Sequence, residues 1–339
     1  MNLRISLILV ILLSYLSIGV TCFFTQRTST VDDVDPPFFY NLDSDDIKTI
    51  SVETRGKTGA WYFNEKFDSW FFEQEKDIPA NLFRWGGITR LLGGPKSQRV
   101  IKSQVDKLSD YGLDNPLMVI TVGLVDGTSI VLILGDLTPD ANGHYSMVDG
   151  YPQLVLVDST WGNIFERLVN DPPYPKWFYT MDPNRSKEIL LFQGNEVVVG
   201  YGYDKKEEHW FVCDIPLLDD PCNGEKKADN EKINKFLEHF GNPSIDGAEE
   251  LKLEDEEDFA KYEAGKDSPY VAIRIEKKLE SGVTEVTRTT MTIGGLTPDR
   301  NFRYAVANES SDVIRIDKQW ADEVLEAFKG PTFKLIDPN

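Results

Sequence analysis

Leu134-Gly135-Asp136-Leu137-Thr138-Pro139-Asp140 returns later in the chain as Ile293-Gly294-Gly295-Leu296-Thr297-Pro298-Asp299. The same offset of 159 positions (293 − 134) relates Tyr145 to Tyr304, Asp158 to Asp317 and Trp161 to Trp320. A match kept over that distance predicts two similar folded units in tandem rather than one large domain. It also separates frame from chemistry: a side chain present in one unit and replaced in the other is not part of the shared frame.

Upstream of the motif, Ile50 and Val52, Trp61 and Phe63, then Trp70 and Phe72 stand two apart, the period of a half-buried strand. At an offset of 140 (190 − 50) they meet Leu190 and Phe192, Tyr201 and Tyr203, then Trp210 and Val212. Each unit is therefore expected to open on a three-stranded meander. Leu82, Trp85, Ile88, Leu91 and Leu92 step by threes and fours, which predicts a helix ending at Gly93-Gly94-Pro95. Ile233, Phe236, Leu237 and Phe240 repeat the pattern before Gly241-Asn242-Pro243.

Gly112, Asp114 and Pro116 then mark a turn into a strand, with Gly265-Lys266-Asp267-Ser268-Pro269 read as its counterpart. Hairpins are expected from Val119 to Leu134, turning at Asp126-Gly127, and from Tyr270 to Ile293. Short strands near Tyr145 and Leu154 lead to a closing helix from Ser159 to Leu168, repeated from Lys318 to Phe328.

The expected fold is α+β: two tandem similar units, each a mainly antiparallel sheet with two helices, behind an amino-terminal transmembrane helix. The boundaries read as 1–24 anchor or signal segment, 25–37 acidic stalk, 38–170 first unit, 171–177 proline-rich linker and 178–339 second unit. The anchor rests on Ile5 to Phe24, twenty residues without a charge. At about 1.5 Å per residue they span about 30 Å, the thickness of a bilayer core. No Ala-x-Ala cleavage site follows, so an uncleaved anchor is preferred over a removed leader. Arg4 precedes the run while Asp32, Asp33 and Asp35 follow it, which places the bulk of the chain outside the cytoplasm.

The chain has 339 residues, 41% hydrophobic, and a formal charge of −20, with 56 acidic against 36 basic side chains. That balance speaks against nucleic acid and against adsorption to anionic lipid, both of which want Lys and Arg. Cys213 and Cys222 lie in an insertion of the second unit and either close a small loop or remain two thiols.

At Tyr111-Gly112-Leu113-Asp114-x-Pro116, Leu134-Gly135-Asp136-x-Thr138-Pro139 and Tyr145 with Asp149-Gly150, the first unit resembles the DUF4340 family. Asp46-Ile47-Lys48-Thr49-Ile50 and the stretch from Trp70 to Pro79 extend the resemblance, which covers about residues 40 to 170. The second unit keeps Gly294, Thr297, Pro298, Asp299 and Tyr304 but not Tyr-Gly-Leu, and reads as a diverged second copy. The resemblance implies a bacterial membrane-anchored protein of undefined biochemical role, accessory by association to ABC-type transport systems of the envelope.

Catalytic constellations are hard to assemble. The three histidines are His144, His209 and His239, and the repeat puts Arg303 at the place of His144 and Ser69 at that of His209. No Gly-x-Ser-x-Gly elbow, His-Glu-x-x-His pair or phosphate loop occurs. Asp136 and Asp140 faintly suggest a calcium loop, but position 136 is Gly295 in the second unit. Thr138-Pro139-Asp140 is therefore expected to fix a turn through local hydrogen bonds. The acidic run Glu254 to Asp258 reads as a solvated loop or helix start.

No catalytic, cofactor-binding or metal-binding residue is assigned, and no cofactor. Trp61, Phe63, Trp70, Phe71 and Phe72 outnumber what one strand face buries; most are expected in the core, and a surplus among Trp61, Phe63, Trp70 and Phe72 is expected at the surface as a partner patch. The expected function is a membrane-anchored, extracytoplasmic, non-enzymatic module that presents a surface to an envelope protein. The alternative is an exported enzyme or solute-binding protein with its site between the two repeats.

Overall fold

The computed structural model describes residues 39–75, 77–215, 217, 221–330 and 333. The expected anchor and stalk lie outside the described residues. Among the described residues no helix is long and apolar enough to cross a membrane.

The alternating segments form the strands they predict. β1 (Ile47–Thr54), β2 (Thr58–Asn64) and β3 (Ser69–Phe72) are the first meander. With β4 (Arg99–Lys102), β5 (Met118–Leu124), β6 (Ser129–Leu137), β7 (Gly143–Val148) and β8 (Leu154–Asp158), they make a sheet ordered β3-β2-β1-β5-β6-β7-β8-β4. The second sheet contains β9 (Ser186–Gln193), β10 (Glu196–Asp204), β11 (His209–Val212) and the two-residue β12 (Lys226–Lys227). It is completed by β13 (Ile245–Glu250), β14 (Pro269–Lys278), β15 (Thr284–Leu296), β16 (Phe302–Ala307) and β17 (Val313–Asp317). Its order is β12-β11-β10-β9-β14-β15-β16-β17-β13, the order of the first sheet with β12 added at one edge. The strand pairs in both sheets are antiparallel. The fold class is α+β.

Helices are few. The helix expected over 82–92 is two pieces, α1 (Leu82–Trp85) and α2 (Ile88–Gly93). Gly86-Gly87 separates them, because Gly86 takes φ +61° and ends the first turn. α3 (Thr160–Asn170) lies against β1, β2 and β7. In the second half α4 (Asn230–Phe240) is unbroken and is capped by the carboxylate of Asp229. α5 (Glu256–Ala260) starts in the acidic run, and α6 (Lys318–Glu326) closes the half with Asp317 as its cap.

One hydrophobic cluster runs through both halves, from Ile50, Trp61 and Phe165 to Trp177, Phe240 and Trp320. Cys213 and Cys222 are bridged, with their Cα atoms 5.6 Å apart.

The turn motif needs one correction. Gly112 has φ +67°, and the residue in the same setting of the second half is Glu263 at φ +51°, not Gly265. Tyr111 packs edge-on to Tyr145 with centroids 5.0 Å apart, and Tyr262 packs edge-on to Tyr304 at 4.8 Å. Tyr262-Glu263-Ala264 thus stands where Tyr111-Gly112-Leu113 stands.

Candidate functional site

The repeated motif residues hold turns. Thr138 Oγ1 donates to Asp140 at 2.6 Å, while Asp140 accepts from the Asn142 backbone N–H and side-chain amide at 3.3 and 3.0 Å. Thr297, Asp299 and Asn301 repeat these bonds at 2.6, 3.2 and 2.9 Å. In both turns the threonine hydroxyl and the asparagine hold the aspartate below the usual carboxylate range. Pro139 and Pro298 sit inside the same turns. Gly135 and Gly294 are required because a Cβ there would lie 2.2 Å from the Tyr111 carbonyl or 2.5 Å from that of Tyr262. Asp114 and Pro116 shape the entry to β5, where Arg55 donates to the Asn115 and Pro116 carbonyls. Among the described residues no three His, Cys, Asp or Glu side chains are grouped to hold a metal ion.

The expected aromatic surface is not where the spacing put it. Trp61, Trp70 and Phe72 are 1%, 6% and 3% exposed, and Phe63 alone of the four is half-buried. The reason is α1. Its Trp85 packs against Trp61 and Trp70, at 5.4 and 5.3 Å between centroids, and roofs the cluster. The roof turns its own next-door side chains outward: Leu82 is 42% and Phe83 96% exposed. A one-turn helix starting on Asn81, whose Oδ1 accepts from the Arg84 N–H, fixes that presentation.

α1 stands at the junction of the two halves. The linker passes beneath it: the Asn81 N–H donates to the Pro173 carbonyl at 2.7 Å, and Arg84 pairs with Asp171 at 2.7 Å. Tyr174 stacks on Phe72 at 4.4 Å and donates to Glu75, and burial with that carboxylate pushes its phenol up to about 12. Trp177 is fully buried and its indole N–H donates to Asp312 at 2.8 Å. The other Asp312 oxygen accepts from the Lys252 backbone N–H at 3.1 Å.

A second clasp lies beside it. The Asp77 carbonyl accepts from the Ala248 N–H at 2.9 Å, and its side chain faces Arg315 at 3.8 Å. Arg315 is also held by Asp246 and Glu249, at 2.8 and 2.9 Å. Between these contacts is a cavity of about 260 Å³ bounded by Ser69, Asn81, Leu82, Lys176, Lys252 and Asp312.

Backbone strain marks the same place. Among the described non-glycine residues with positive φ, Asp68 answers Glu208, Ala141 answers Arg300, and Glu263 answers Gly112. Asn308 and Glu309 make the turn that Asp149-Gly150 makes in the first half. Asp77 at φ +63° and Lys252 at φ +60° have no such counterpart, and both are junction residues. Strain kept by a packed frame clusters where a protein is used.

Tyr145 and Tyr304 stay inside their own halves and do not reach this cavity. His239 ties α4 to α6: its Nε2 donates to the Trp320 carbonyl at 3.1 Å and its ring stacks on that indole. The junction escapes a reading by periodicity because it is made of loops, and Phe83 escapes because it sits beside, not on, the apolar stripe.

A family model described as Domain of unknown function (DUF4340) matches residues 70–246. The matched stretch is just over half of the chain and runs from β3 through the linker into β13, so it takes in the junction. It is not confined to the first half, and the second half is not matched as a separate copy. No curated protein and no solved structure matches the chain significantly.

Proposed function

The chain belongs to the DUF4340 family, and we propose that it is a membrane-anchored, extracytoplasmic binding module built from two copies of one ancestral unit. Its partner is an integral subunit of an ABC-type transport system in the envelope. The common strand order and the paired Thr-Pro-Asp turns support the duplication. The uncharged run from Ile5 to Phe24 supports the anchor.

One observation carries the binding role: Phe83 is 96% exposed beside Leu82 on a rigid, capped turn at the lip of the junction. Leaving an aromatic ring in water forgoes about 2 kcal/mol of burial, and large rings of this kind dominate protein contacts. The family match includes this turn and the linker beneath it.

The rival reading, an enzyme or solute-binding protein working between the halves, draws on the cavity itself. Against it, Asp312 already accepts from Trp177 and Lys252, which suits a structural carboxylate better than a reacting one.

The test is a photoactivatable phenylalanine analogue at position 83 of the full chain in native membranes. A cross-link to a transporter subunit, lost with Leu82→Ser, supports the proposal. Co-purification of that subunit unchanged by Phe83→Ser, with no cross-link, defeats it.

A further inference from the structure

We propose that the β4 edge of the first sheet is a membrane-facing surface that rests on anionic lipid headgroups. The inference rests on the anchored reading above.

Charge is the first observation. Between Asp77 and Asp106 the chain has no acidic residue, yet besides Arg84, which is paired with Asp171 at the junction, it carries Arg90, Lys96, Arg99 and Lys102. In a chain of net charge −20 this is a local reversal of sign. Mutual repulsion keeps the acidic remainder away from anionic lipid, so such a stretch would orient the molecule as well as attract it.

Geometry is the second. β4 is the last strand of its sheet and pairs with β8 alone. Arg99 and Lys102 are exposed on it, and Val100 between them is 51% exposed. Val100 shares a cavity of about 260 Å³ with Phe39, Val148, Tyr151 and Val155. Tyr151 is 62% exposed, and the Val105 N–H bond to the Pro152 carbonyl holds its loop against the loop that follows β4. An arginine and a lysine on the edge strand that borders a small apolar opening, with a tyrosine lining that opening, is the composition of a surface that sits at headgroup level.

The path of the chain is the third. Phe39 lines that cavity, and its N–H donates to the Pro95 carbonyl at 3.0 Å, so the preceding residues join the body at this edge. The uncharged run ends at Phe24, and residues 25–38 connect it to Phe39. Fourteen residues reach at most about 50 Å. The connection therefore keeps this edge within about 50 Å of the end of the uncharged run. Asp106 and Asp110, whose charges act on Lys102, and Asp32, Asp33 and Asp35 of the connection are the acidic groups that compete with lipid.

The experiment uses the full chain with Cys22→Ser and a cysteine at position 100, carrying a polarity-sensitive fluorophore. A control carries it at position 283, on the far hairpin of the second sheet, where Val283 is 61% exposed. Both are reconstituted in phosphatidylcholine vesicles with and without phosphatidylglycerol.

A blue shift and quenching by lipid-borne quencher at position 100, only with phosphatidylglycerol and not at position 283, is the expected result. Arg99→Gln and Lys102→Gln should each weaken it about fivefold, and added salt should reverse it. The same shift in phosphatidylcholine or detergent overturns the proposal in favour of the chain's own acidic connection. No shift at all overturns it too. Release of the protein by alkaline carbonate instead strikes the anchored reading, which separates the two failures.

Discussion

His144 and Arg303 occupy one place in the two sheets and grip equivalent carbonyls. His144 Nδ1 donates to Gly135 at 3.1 Å, and Arg303 Nη1 donates to Gly294 at 3.2 Å. A carbonyl only accepts, so the bond fixes the proton of a neutral His144 on Nδ1. Arg303 adds Asp322 at 2.9 Å, where the first half has the uncharged Asn163. His144 instead turns its Nε2 to Gly162, where a Cβ would lie 2.6 Å away, while the second half places Ala321 there.

Gly162→Ala should therefore cost about 1–3 kcal/mol, the range for overpacking a full interior. The cost should shrink in a His144→Ala background, because the collision is with that ring. Urea midpoints of the four proteins in the cycle check it, and equal costs in both backgrounds would refute the collision.

An exchange between strands gives a sharper cycle. A Cβ on Gly112 would meet the Asp136 carboxylate at 2.4 Å, and one on Gly295 would meet that of Glu263 at 2.7 Å. The acidic side chain and the glycine that makes room for it have swapped positions between the halves. Gly112→Glu alone should be strongly destabilising, by overpacking and by a left-handed residue costing about 1–2 kcal/mol. With Asp136→Gly added, only the left-handed cost should remain. A double variant no more stable than the single would show that the two sites are not coupled.

Much of this was legible from residues and some was not. Alternation at Ile50, Trp61, Trp70 and their partners placed both meanders, because a strand with one buried face writes its period into the chain. Asp126-Gly127 placed its hairpin for the same local reason. Spacing does not say which of Trp61, Phe63, Trp70 and Phe72 stay outside, because nothing local says that Trp85 folds back over Trp61 and Trp70. Gly265 was paired with Gly112 by residue type, whereas the backbone places Glu263 there, since a left-handed φ is a property of the site. A net charge of −20 concealed the acid-free stretch before Asp106, because totals carry no position. The junction was hardest to see: Asp77 meets Gly247 across a separation that no window covers.

Acid should loosen the repeated turns. Asp140 and Asp299 are held below the ordinary value of 3.8 by hydroxyl and amide donors. A depressed carboxylate adds stability above the unfolded value and loses it as pH falls through the folded one. The two turns should thus contribute fully at neutral pH and progressively less below about pH 4. Asp140→Asn with Asp299→Asn should melt lower than wild type at pH 7, with the gap closing in stronger acid. A gap independent of pH would count against it.

The bridge between Cys213 and Cys222 closes a loop over the second sheet, with the Cys222 N–H donating to the buried Glu188 carboxylate at 2.7 Å. Gly202 permits the approach, since a Cβ there would be 2.1 Å from the Cys222 carbonyl. Replacing both cysteines by serine should cost about 2–3 kcal/mol for a loop of this length. Further loss is expected if Glu188 keeps its charge without that donor. Adding Glu188→Gln should restore part of the stability, measured by thermal melting. No restoration would mean that the loop stays seated without its bridge.

The junction makes the last prediction. Gly247 receives Asp77 so closely that a Cβ would be 2.4 Å from the Asp77 Cβ and 3.1 Å from its carbonyl oxygen. Neither neighbour is the far end of a flexible chain, so Gly247→Ala must lift the Asp77 loop from β13. The Ala248 bond to that carbonyl goes with it, and so does the Arg315 contact. Phe72 and Ala80 bind the same loop to the first sheet, through the Ile78 and Trp70 carbonyls, so the loop should move with the first half. The linker 171–177, in which Pro173, Pro175 and Trp177 are buried, should become more open to protease. Gly265→Ala is the control, because its nearest neighbour would be 3.9 Å away. Faster cleavage near Tyr174 in Gly247→Ala, and not in Gly265→Ala, is the expected outcome. Equal resistance would mean that the Trp177 bond to Asp312 and the stacking of Tyr174 on Phe72 hold the halves together without the clasp.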